Sequence, residues 1–394
     1  MVQKRGRGVK VFILAGEPSG DRLGGALMAG LKTLRPDVVF AGIGGAEMTA
    51  QGLESRFDMS ELSVMGLAEI LPKYRALMAR IKQTAAAVVD MQPDVLITID
   101  SPDFSMRVAR LVKARSEIRT VHYVAPTVWA WRPGRAEKMA AHIDQVLALL
   151  PFEPPYMEAA GMRCDFVGHP VVAEPVATDA EAAAFRDRHG IGEAPLLLVL
   201  PGSRQAEVAR LGPVFQQVVA RLMLERPQMR VVIPAAAPVV GAVRRLTQNW
   251  APSPIIVNPL AEDATDPAAE KRAAFKAADV ALAVSGTVSL ELAANETPMV
   301  IAYDMNWLSR QIIGRMVKVD TVTLVNLVSD TRAVPEFIGA NCLPGPIAAG
   351  VLKVLEAPDA QVEAMRLTMD RLGKGGTAPG LRAAQAVLDG LSSE

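Results

Sequence analysis

Two short polar stretches in the second half of the chain have the residue types that bind phosphate. LPGSR at 200–204 and SGT at 285–287 each follow an apolar run. Glycine lets a ligand approach the backbone, and free N–H groups at a helix start attract anions. Arg204 adds a fork of donors that stabilises a leaving diphosphate. The predicted diphosphate site comprises Gly202, Ser203, Arg204, Ser285, Gly286 and Thr287; the alternative is a plain helix start capped by Ser203.

Glu291 lies one helical turn after Thr287, on the same side of the expected helix. A carboxylate in this position can chelate a ribose diol, as acidic residues do in dinucleotide sites. The spacing therefore predicts a nucleotide site whose phosphate and ribose contacts come from one strand–helix junction.

Asp100 ends the apolar run 95–99, where a general base would reach a ligand at the end of a strand. A carboxylate there can take a proton from a sugar hydroxyl. Pro102 suits the first position of a helix, and Ser101 suits its cap. Asp103 is a second acidic candidate, although it could simply favour the positive end of that helix.

The stretch GEPSGD at 16–21 follows the first apolar run and contributes Glu17 and Ser19 as ligand candidates. It lacks the GxGxxG spacing, so a dinucleotide site and a dehydrogenase are poorly supported. The alternative is a tight turn capped by Ser19 or Asp21.

An aromatic loop, HYVAPTVWAWR at 122–132, contains two of the four tryptophans. Trp129 could line an acyl or sugar pocket, and Arg132 and Arg135 could bind an acceptor phosphate. The rings could equally be core, and His122 alone is more typical of a satisfied interior histidine.

The segment 64–82 is apolar with interleaved basic residues, and Pro72 suggests a new helix start within it. Some of its apolar residues follow core spacing, and others lie off that stripe. A basic, apolar helical surface can rest on an anionic bilayer. The candidate membrane patch is Val64, Met65, Leu67, Ile70, Leu71, Leu77 and Met78.

Short apolar runs alternate with helical patterns, which predicts an α/β fold with two doubly wound, Rossmann-like parallel sheets facing a central cleft. The linker is expected near 170–180, between a domain at 1–172 that contains Asp100 and a domain at 173–355 that contains the two phosphate-binding stretches. The helical tail from about 356 could pack back on the first domain. The expected strands are 9–15, 38–42, 95–99, 119–123, 145–149, 164–167, 196–200, 230–233, 255–257, 280–284 and 299–302.

Composition excludes several classes of protein. Lys+Arg and Asp+Glu are equal at 42 each, which argues against a broad nucleic-acid surface. Two cysteines and four scattered histidines show no metal or disulfide pattern. The apolar run near the N-terminus is short and broken by Lys10, so we expect a first strand rather than a signal peptide. No window reaches the length of a membrane span.

Taken together, these segments resemble the lipid-A-disaccharide synthase family, glycosyltransferase family 19 of the GT-B fold. The resemblance rests on nine stretches in order along residues 15–328. They are AGEPSGD, LSVMGLAEIL, DSPDF, HYVAPTVWAWR, LPFE, FVGHP, LPGSR, SGTVSLE and VNLV.

The resemblance implies an inverting hexosyltransferase that joins UDP-2,3-diacylglucosamine to 2,3-diacylglucosamine 1-phosphate and releases UDP. It implies Asp100 as the base, Arg204 as a required arginine, Asn326 as a donor-region residue and Glu291 as the ribose ligand. It also implies no essential metal or other cofactor, and 64–82 as a patch that seats a cytoplasmic enzyme on the inner membrane. Oligomeric state is left open.

Pro18 and Ser101 stand where many members carry Ala, and GGAEM at 44–48 is an altered glycine-rich loop. These differences leave the proposed charges in place and bear on the acceptor side. The alternatives are another UDP-sugar enzyme of the same architecture, such as a 2-epimerase, and a non-catalytic nucleotide-sugar-binding regulator.

Overall fold

The computed structural model describes residues 8–62, 67–130, 134–261, 266–305 and 319–392, with side chains omitted for 67–73. The chain divides into two compact units. The first comprises Met1–Ala173 with Leu372–Glu394, and the second is Glu174–Arg371. Each unit contains one six-stranded sheet whose strand pairs are all parallel.

The first sheet has the order β2-β1-β3-β4-β5-β6. Its central strands are buried along their whole length, because helices cover both faces. This explains why the strands read as continuous apolar runs. The strands are β1 (Lys10–Ala15), β2 (Val39–Ile43), β3 (Val95–Ile99), β4 (Arg119–Tyr123), β5 (Gln145–Ala148) and β6 (Arg163–Phe166).

Helices connect these strands, and a 3₁₀ turn at Met59–Leu62 precedes the longest of them. They are α1 (Pro18–Leu34), α2 (Ala46–Ala50), α3 (Leu67–Met91), α4 (Pro102–Lys113), α5 (Arg135–Ala140) and α6 (Pro154–Glu158). Helix α3 runs through Pro72, so the expected new helix start there is wrong. Proline removes one backbone hydrogen bond early in the helix, while Ile81, Ala85 and Val88 bury its later turns in the core.

The second sheet has the order β12-β11-β10-β7-β8-β9. The strands are β7 (Leu196–Leu200), β8 (Arg230–Pro234), β9 (Ile255–Val257), β10 (Val280–Ala283), β11 (Met299–Tyr303) and β12 (Glu336–Ile338). The helices are α7 (Asp179–Arg188), α8 (Gln205–Glu225), α9 (Val240–Thr247), α10 (Pro267–Ala277), α11 (Val288–Ala294), α12 (Leu324–Ser329), α13 (Pro344–Glu356) and α14 (Asp359–Arg371).

The C-terminal segment is shared between the two units. Helix α14 belongs to the second unit, where Gln361 binds the backbone of Met299 through both its amide atoms. Helix α15 (Pro379–Ser392) belongs to the first unit and packs along α1. The tail is therefore divided between the units after Arg371.

The strand orders confirm the predicted α/β class and locate one special point in each sheet. In the first sheet, β2 is added on one side of β1, and β3 and the later strands are added on the other side. In the second sheet, β8 and β9 are added on one side of β7, and β10 and the later strands on the other. Open parallel sheets bind ligands outside the carboxyl ends of the strands at such reversals. The reversals therefore lie at the β1–β3 and β7–β10 pairs.

Candidate functional site

The two predicted phosphate loops leave neighbouring strands at the reversal of the second sheet. Strands β7 and β10 pair in parallel, and the N–H of Val284 donates to the carbonyl of Leu200 at 3.1 Å. LPGSR begins at Leu200, and SGT begins at the residue after Val284. The structure thus brings the two loops together at the edge where an open α/β sheet holds its ligand.

The LPGSR loop is tight and is held by a residue that sequence analysis missed. Gly202 has a φ of +117°, and a Cβ there would lie 2.5 Å from the Cβ of Glu207. Glu207 accepts hydrogen bonds from the backbone N–H groups of Ser203 and Arg204 at 3.0 and 3.3 Å. The cap residue is Arg204, so Ser203 does not cap α8. A glutamate three residues after the cap is the signal that could have identified this contact.

Arg204 is available to a ligand on the surface of the loop. Its side chain is 68% exposed and forms an ion pair with Glu207 at 3.1 Å. An exposed pair of this kind contributes little to stability and exchanges readily. The guanidinium can therefore leave Glu207 for a phosphate, which offers charge and bidentate geometry together.

The SGT loop presents backbone to open space. Gly286 has a φ of +149°, and a Cβ there would meet no atom within 4 Å. Gly286 and Thr287 are exposed, and α11 begins directly after them. An exposed loop of this shape can approach a ligand closely, as the sequence predicts.

Glu291 is half-buried on α11 and is already engaged. Its carboxylate forms a short ion pair with Lys271 of α10. Lys271 also lies 5.1 Å from the centroid of the Phe275 ring. The pair fixes the orientation of the carboxylate, and Lys271 was not identified from the sequence because it lies 20 residues away on another helix.

Asn326 is buried, and both ends of its amide have protein partners. The amide nitrogen donates to Thr321 and to the Val334 carbonyl, and its oxygen accepts from the Val334 N–H. This is the geometry of a residue that fixes the loop around 321–334. Direct contact of the Asn326 side chain with a donor stays a prediction.

In the first unit, Asp100 stands at the end of β3, beside the reversal. Its N–H donates to the Tyr123 carbonyl at 3.1 Å, which continues the β3–β4 ladder by one residue. Its side chain is half-buried and has no hydrogen-bond or ion-pair partner among the described residues. Among these residues, none competes with a substrate for the carboxylate.

The backbone at this point is strained. Asp100 and Ser101 have φ of +48° and +43°, where an L-residue loses roughly 1–2 kcal/mol. Helix α4 begins at Pro102 as predicted, with Ser101 in the cap position, but the Ser101 side chain makes no capping bond. Asp103 is exposed in the first helical turn. Strain held at a strand end is typical of functional sites.

The loop after β1 packs directly on the loop after β3. A Cβ on Gly16 would lie 2.4 Å from the Ser101 hydroxyl oxygen, so only glycine fits. Glu17 and Ser19 are exposed on this loop. Helix α1 starts at Pro18 with Glu17 as cap residue, so neither Ser19 nor Asp21 caps it.

Asp21 instead holds the neighbouring glycine-rich loop. Its carboxylate is buried and accepts from the N–H groups of Gly45, Glu47 and Met48 at 2.7, 2.9 and 3.2 Å. These donors open α2, so an anion already occupies that helix start. The sequence indicated Asp21 as a possible helix cap, but it did not show that the helix it caps is α2 rather than α1.

His122 is an interior histidine, as expected. It is 3% exposed, and its Nδ1 lies 2.7 Å from the Thr98 hydroxyl. Burial, together with the charge of Arg135, lowers the pKa of His122 to about 4.

Trp129 is half-buried and packs edge-on against Phe152, with 5.2 Å between ring centroids. Beside it is Glu153, which is 3% exposed and accepts from the N–H groups of Leu149 and Leu150 at 3.1 and 2.9 Å. Burial raises the pKa of Glu153 to about 7, although these N–H groups and the Trp129 indole oppose the shift. The indole nitrogen makes no hydrogen bond of ordinary geometry within the described part of the chain.

Only part of the predicted membrane patch can be located. Val64 and Met65 lie outside the described residues, as does Arg132 of the aromatic loop. Leu67, Ile70 and Leu71 lie on α3, but their side chains are not described. Leu77 and Met78 are half-buried against the core, whereas Tyr74 is 45% exposed.

Among the residues that the structure describes, no helix is both long enough and apolar enough to cross a bilayer. No three His, Cys, Asp or Glu side chains there gather as metal ligands would.

Residues 11–387 match the sequence model of the lipid-A-disaccharide synthetase family. The chain is 64% identical over 388 residues to the lipid-A-disaccharide synthase of Ruegeria pomeroyi, covering 98% of this chain and 97% of the relative. It is 46% identical to the synthase of Rhodospirillum centenum, covering 96% and 94%.

The fold also resembles solved structures of UDP-sugar enzymes. One is the UDP-GlcNAc 2-epimerase of Neisseria meningitidis bound to UDP-GlcNAc, with a TM-score of 0.61, 10% identity and coverage of 98% and 100%. Another is the Methanocaldococcus jannaschii 2-epimerase, with a TM-score of 0.56, 12% identity and coverage of 98% and 100%. At this identity the likeness concerns the fold alone.

Proposed function

The chain belongs to the lipid-A-disaccharide synthase family, and we propose a division of roles in which its first unit activates the acceptor and its second unit binds the UDP. It is a hexosyltransferase of GT-B architecture that acts in lipid A biosynthesis. The observation that carries this conclusion is the family match over residues 11–387, together with 64% identity to a relative that is covered over 97% of its length. The substrates are UDP-2,3-diacylglucosamine and 2,3-diacylglucosamine 1-phosphate.

The reaction joins two sugars by a displacement at the anomeric carbon of the donor. The acceptor hydroxyl oxygen forms the new C–O bond while the bond to the diphosphate breaks, and UDP leaves with that electron pair. Asp100 takes the proton of the attacking hydroxyl. Its carboxylate at the end of β3, unpartnered among the described residues, supports this role.

Negative charge builds on the diphosphate as the bond breaks, so the second unit stabilises an anion. Arg204 turns from Glu207 to the phosphates, and the N–H groups around Gly202 and Gly286 add fixed dipoles. The adjacency of the two loops at the β7–β10 reversal supports this arrangement. Glu291, held by Lys271, binds the ribose diol.

Asn326 acts on the donor side by holding its own loop in shape. Both ends of its amide bind the backbone of Val334, which supports a positioning role rather than a direct contact.

The acceptor phosphate is bound by arginines of the aromatic loop. Arg132 is the first candidate from the sequence, and Arg135 is the second. Arg135 begins α5 and lies close enough to His122 to affect its pKa. Glu17, Ser19 and Asp103 are exposed beside Asp100 and provide polar contacts to the acceptor.

The protein works at the cytoplasmic face of the inner membrane as a peripheral enzyme. The apolar, basic segment 64–82 seats it there, since both lipid substrates reside in the bilayer. The exposed ring of Tyr74 in this segment supports the proposal.

One incubation tests the function. The purified chain is mixed with UDP-2,3-diacylglucosamine and 2,3-diacylglucosamine 1-phosphate, and the products are read by mass spectrometry. The expected products are UDP and a tetraacyl disaccharide 1-phosphate. A UDP-sugar epimer formed without acceptor would indicate a 2-epimerase, and binding of UDP without any product would indicate a regulator.

A further inference from the structure

A groove of about 460 Å³ lies in the first unit beside the loops that follow β1 and β2. Its lining includes Pro18, Gly44, Gly45 and Thr49 of α2. Ser55 and residues 57–60 complete the lining. Nothing in the catalytic roles above uses this groove.

The groove lies next to the proposed base. Gly16 packs on Ser101, the residue after Asp100, so the loops after β1 and β3 touch. Pro18 is two residues beyond Gly16 and lines the groove. One end of the short segment 16–18 thus packs on the residue after Asp100, and its other end lines the groove.

The charges in the groove disfavour a phosphate. None of its nine lining residues is Lys or Arg, and Asp58 is exposed within it. The buried Asp21 carboxylate binds the N–H of Gly45 directly behind the lining and occupies the start of α2. Two carboxylates without a lining cation favour a neutral or cationic group.

The hydrogen-bonding groups of the groove are mostly acceptors. The Thr49 hydroxyl donates its proton to the Gly45 carbonyl, so the lone pairs of the Thr49 oxygen can accept a hydrogen bond from a ligand. Ser55 donates to the Phe57 carbonyl and accepts from the N–H of Gly44. Asp58 accepts from the N–H of Ser60 and is otherwise open to solvent. A matching ligand therefore brings hydroxyl or amide N–H donors.

The remaining lining is apolar. Pro18, Phe57 and Met59 present carbon surface, and Arg80 covers the Phe57 ring at 4.5 Å from its centroid. Apolar surface beside a few hydrogen-bond acceptors is the usual composition of a small-molecule site. A pyranose ring with an acylated amino group has both characters, since its C–H face is apolar and its edge carries O–H and N–H donors.

We propose that this groove binds the acylated glucosamine ring of the acceptor, with the 1-phosphate left outside the groove. The assignment rests on the proposed function and extends it by naming the residues that select the acceptor. In sequence, the lining residues 57–60 shortly precede the apolar stretch that begins at Val64.

Filling the groove tests the proposal. Thr49→Trp places a large ring in it, and Ala50→Trp is the matched control, because Ala50 is exposed on the same helix and does not line the groove. Initial rates are measured with each substrate varied while the other is saturating. We expect Thr49→Trp to raise the KM for the acceptor at least tenfold and to leave the KM for the UDP-sugar within twofold. Ala50→Trp should behave as the wild type.

A second variant guards against misfolding. If the thermal unfolding midpoint of Thr49→Trp falls by more than about 5 °C, Ser60→Tyr replaces it, since Ser60 is exposed and also lines the groove. An acceptor KM that is unchanged in the folded variant overturns the proposal, as does an equal rise in both KM values. Failure of the proposed function itself is distinguishable, because the wild-type chain would then form no disaccharide.

Discussion

The Glu207 carboxylate accepts a hydrogen bond from the backbone N–H of Ser203 at 3.0 Å, within the loop assigned to the UDP diphosphate. The same side chain forms an ion pair with Arg204. Glu207 therefore holds both the backbone of the loop at Ser203 and the guanidinium of Arg204. In the proposed complex, we expect the diphosphate to draw Arg204 away from Glu207 while the loop keeps its shape.

This relationship predicts different effects for two changes at Glu207. Glu207→Gln keeps an oxygen that accepts the Ser203 and Arg204 N–H groups, so UDP affinity should stay within threefold of the wild type. Glu207→Ala removes the acceptor and should lower the free energy of unfolding by about 1 kcal/mol, the usual value of a helix cap. It should also weaken UDP binding. Denaturant titration and calorimetry measure the two quantities.

Glu225→Ala is the matched control, since Glu225 is exposed at the other end of the same helix. It should change neither quantity. If Glu207→Ala matched Glu225→Ala in both measurements, Glu207 would have no role in holding the loop.

Arg204 should be irreplaceable by lysine. A lysine keeps the charge but loses the planar fork that binds two phosphate oxygens at once. We expect Arg204→Lys to lower kcat about 10²- to 10³-fold, the range seen when one group that stabilises charge in a transition state is lost. Steady-state kinetics with saturating acceptor measure this. A fall of less than tenfold would mean that Arg204 does not face the leaving group.

Asp21 should be a structural residue despite lying in a ligand-type loop. It is buried and accepts three backbone N–H groups, so Asp21→Ala leaves several buried donors unpaired. We expect a loss of about 3 kcal/mol in the free energy of unfolding, measured by urea denaturation. Glu47→Ala, exposed on the helix that Asp21 caps, should cost less than about 0.5 kcal/mol. Equal losses for both would contradict this assignment.

The raised pKa of Glu153 predicts a pH-dependent stability. Its folded-state pKa is about 7, above the ordinary value of 4.5, so its contribution is most favourable below pH 4.5 and is lost as the pH rises to 7. Relative to Glu153→Gln, which does not titrate, the wild type should lose about 3 kcal/mol between pH 4.5 and pH 8. His122 and His169 titrate in both proteins, and their contributions cancel.

Urea denaturation of both proteins at a series of pH values measures this difference. A difference that stays constant across the range would show that Glu153 keeps an ordinary pKa.

The sequence predicted the fold well where the physical signal is local. Eleven strands stand at the expected places, because buried parallel strands are continuous apolar runs. Strand β12 was missed, since its three half-buried residues, Glu336–Ile338, carry no such run. The strand order was not predicted, and it is the order that puts the candidate loops side by side.

Residue types in the sequence identified the candidate site residues, but not the protein side chains that hold them. Gly202, Gly286 and Asp100 stand out in the sequence because each follows an apolar strand at the position where parallel sheets bind ligands. The contacts of Asp21 and Lys271 span 20 to 27 residues, so no local pattern could show them. Ser203 was considered a cap because serine favours that position. In the structure, the N–H groups at the starts of α8 and α2 instead bind the carboxylates of Glu207 and Asp21, neither of which is in the cap position.

The central claim is that Asp100 removes the acceptor proton, and Asp100→Asn tests it most directly. The rate of disaccharide formation and the calorimetric affinity for UDP are measured on this variant and on a control, Glu117→Gln. Glu117 is exposed and lies before the amino end of β4, whereas Asp100 follows the carboxyl end of β3. We predict that Asp100→Asn lowers kcat about 10²- to 10⁴-fold while the Kd for UDP stays within twofold, and that Glu117→Gln changes neither. Turnover of Asp100→Asn within tenfold of the wild type would contradict the claim.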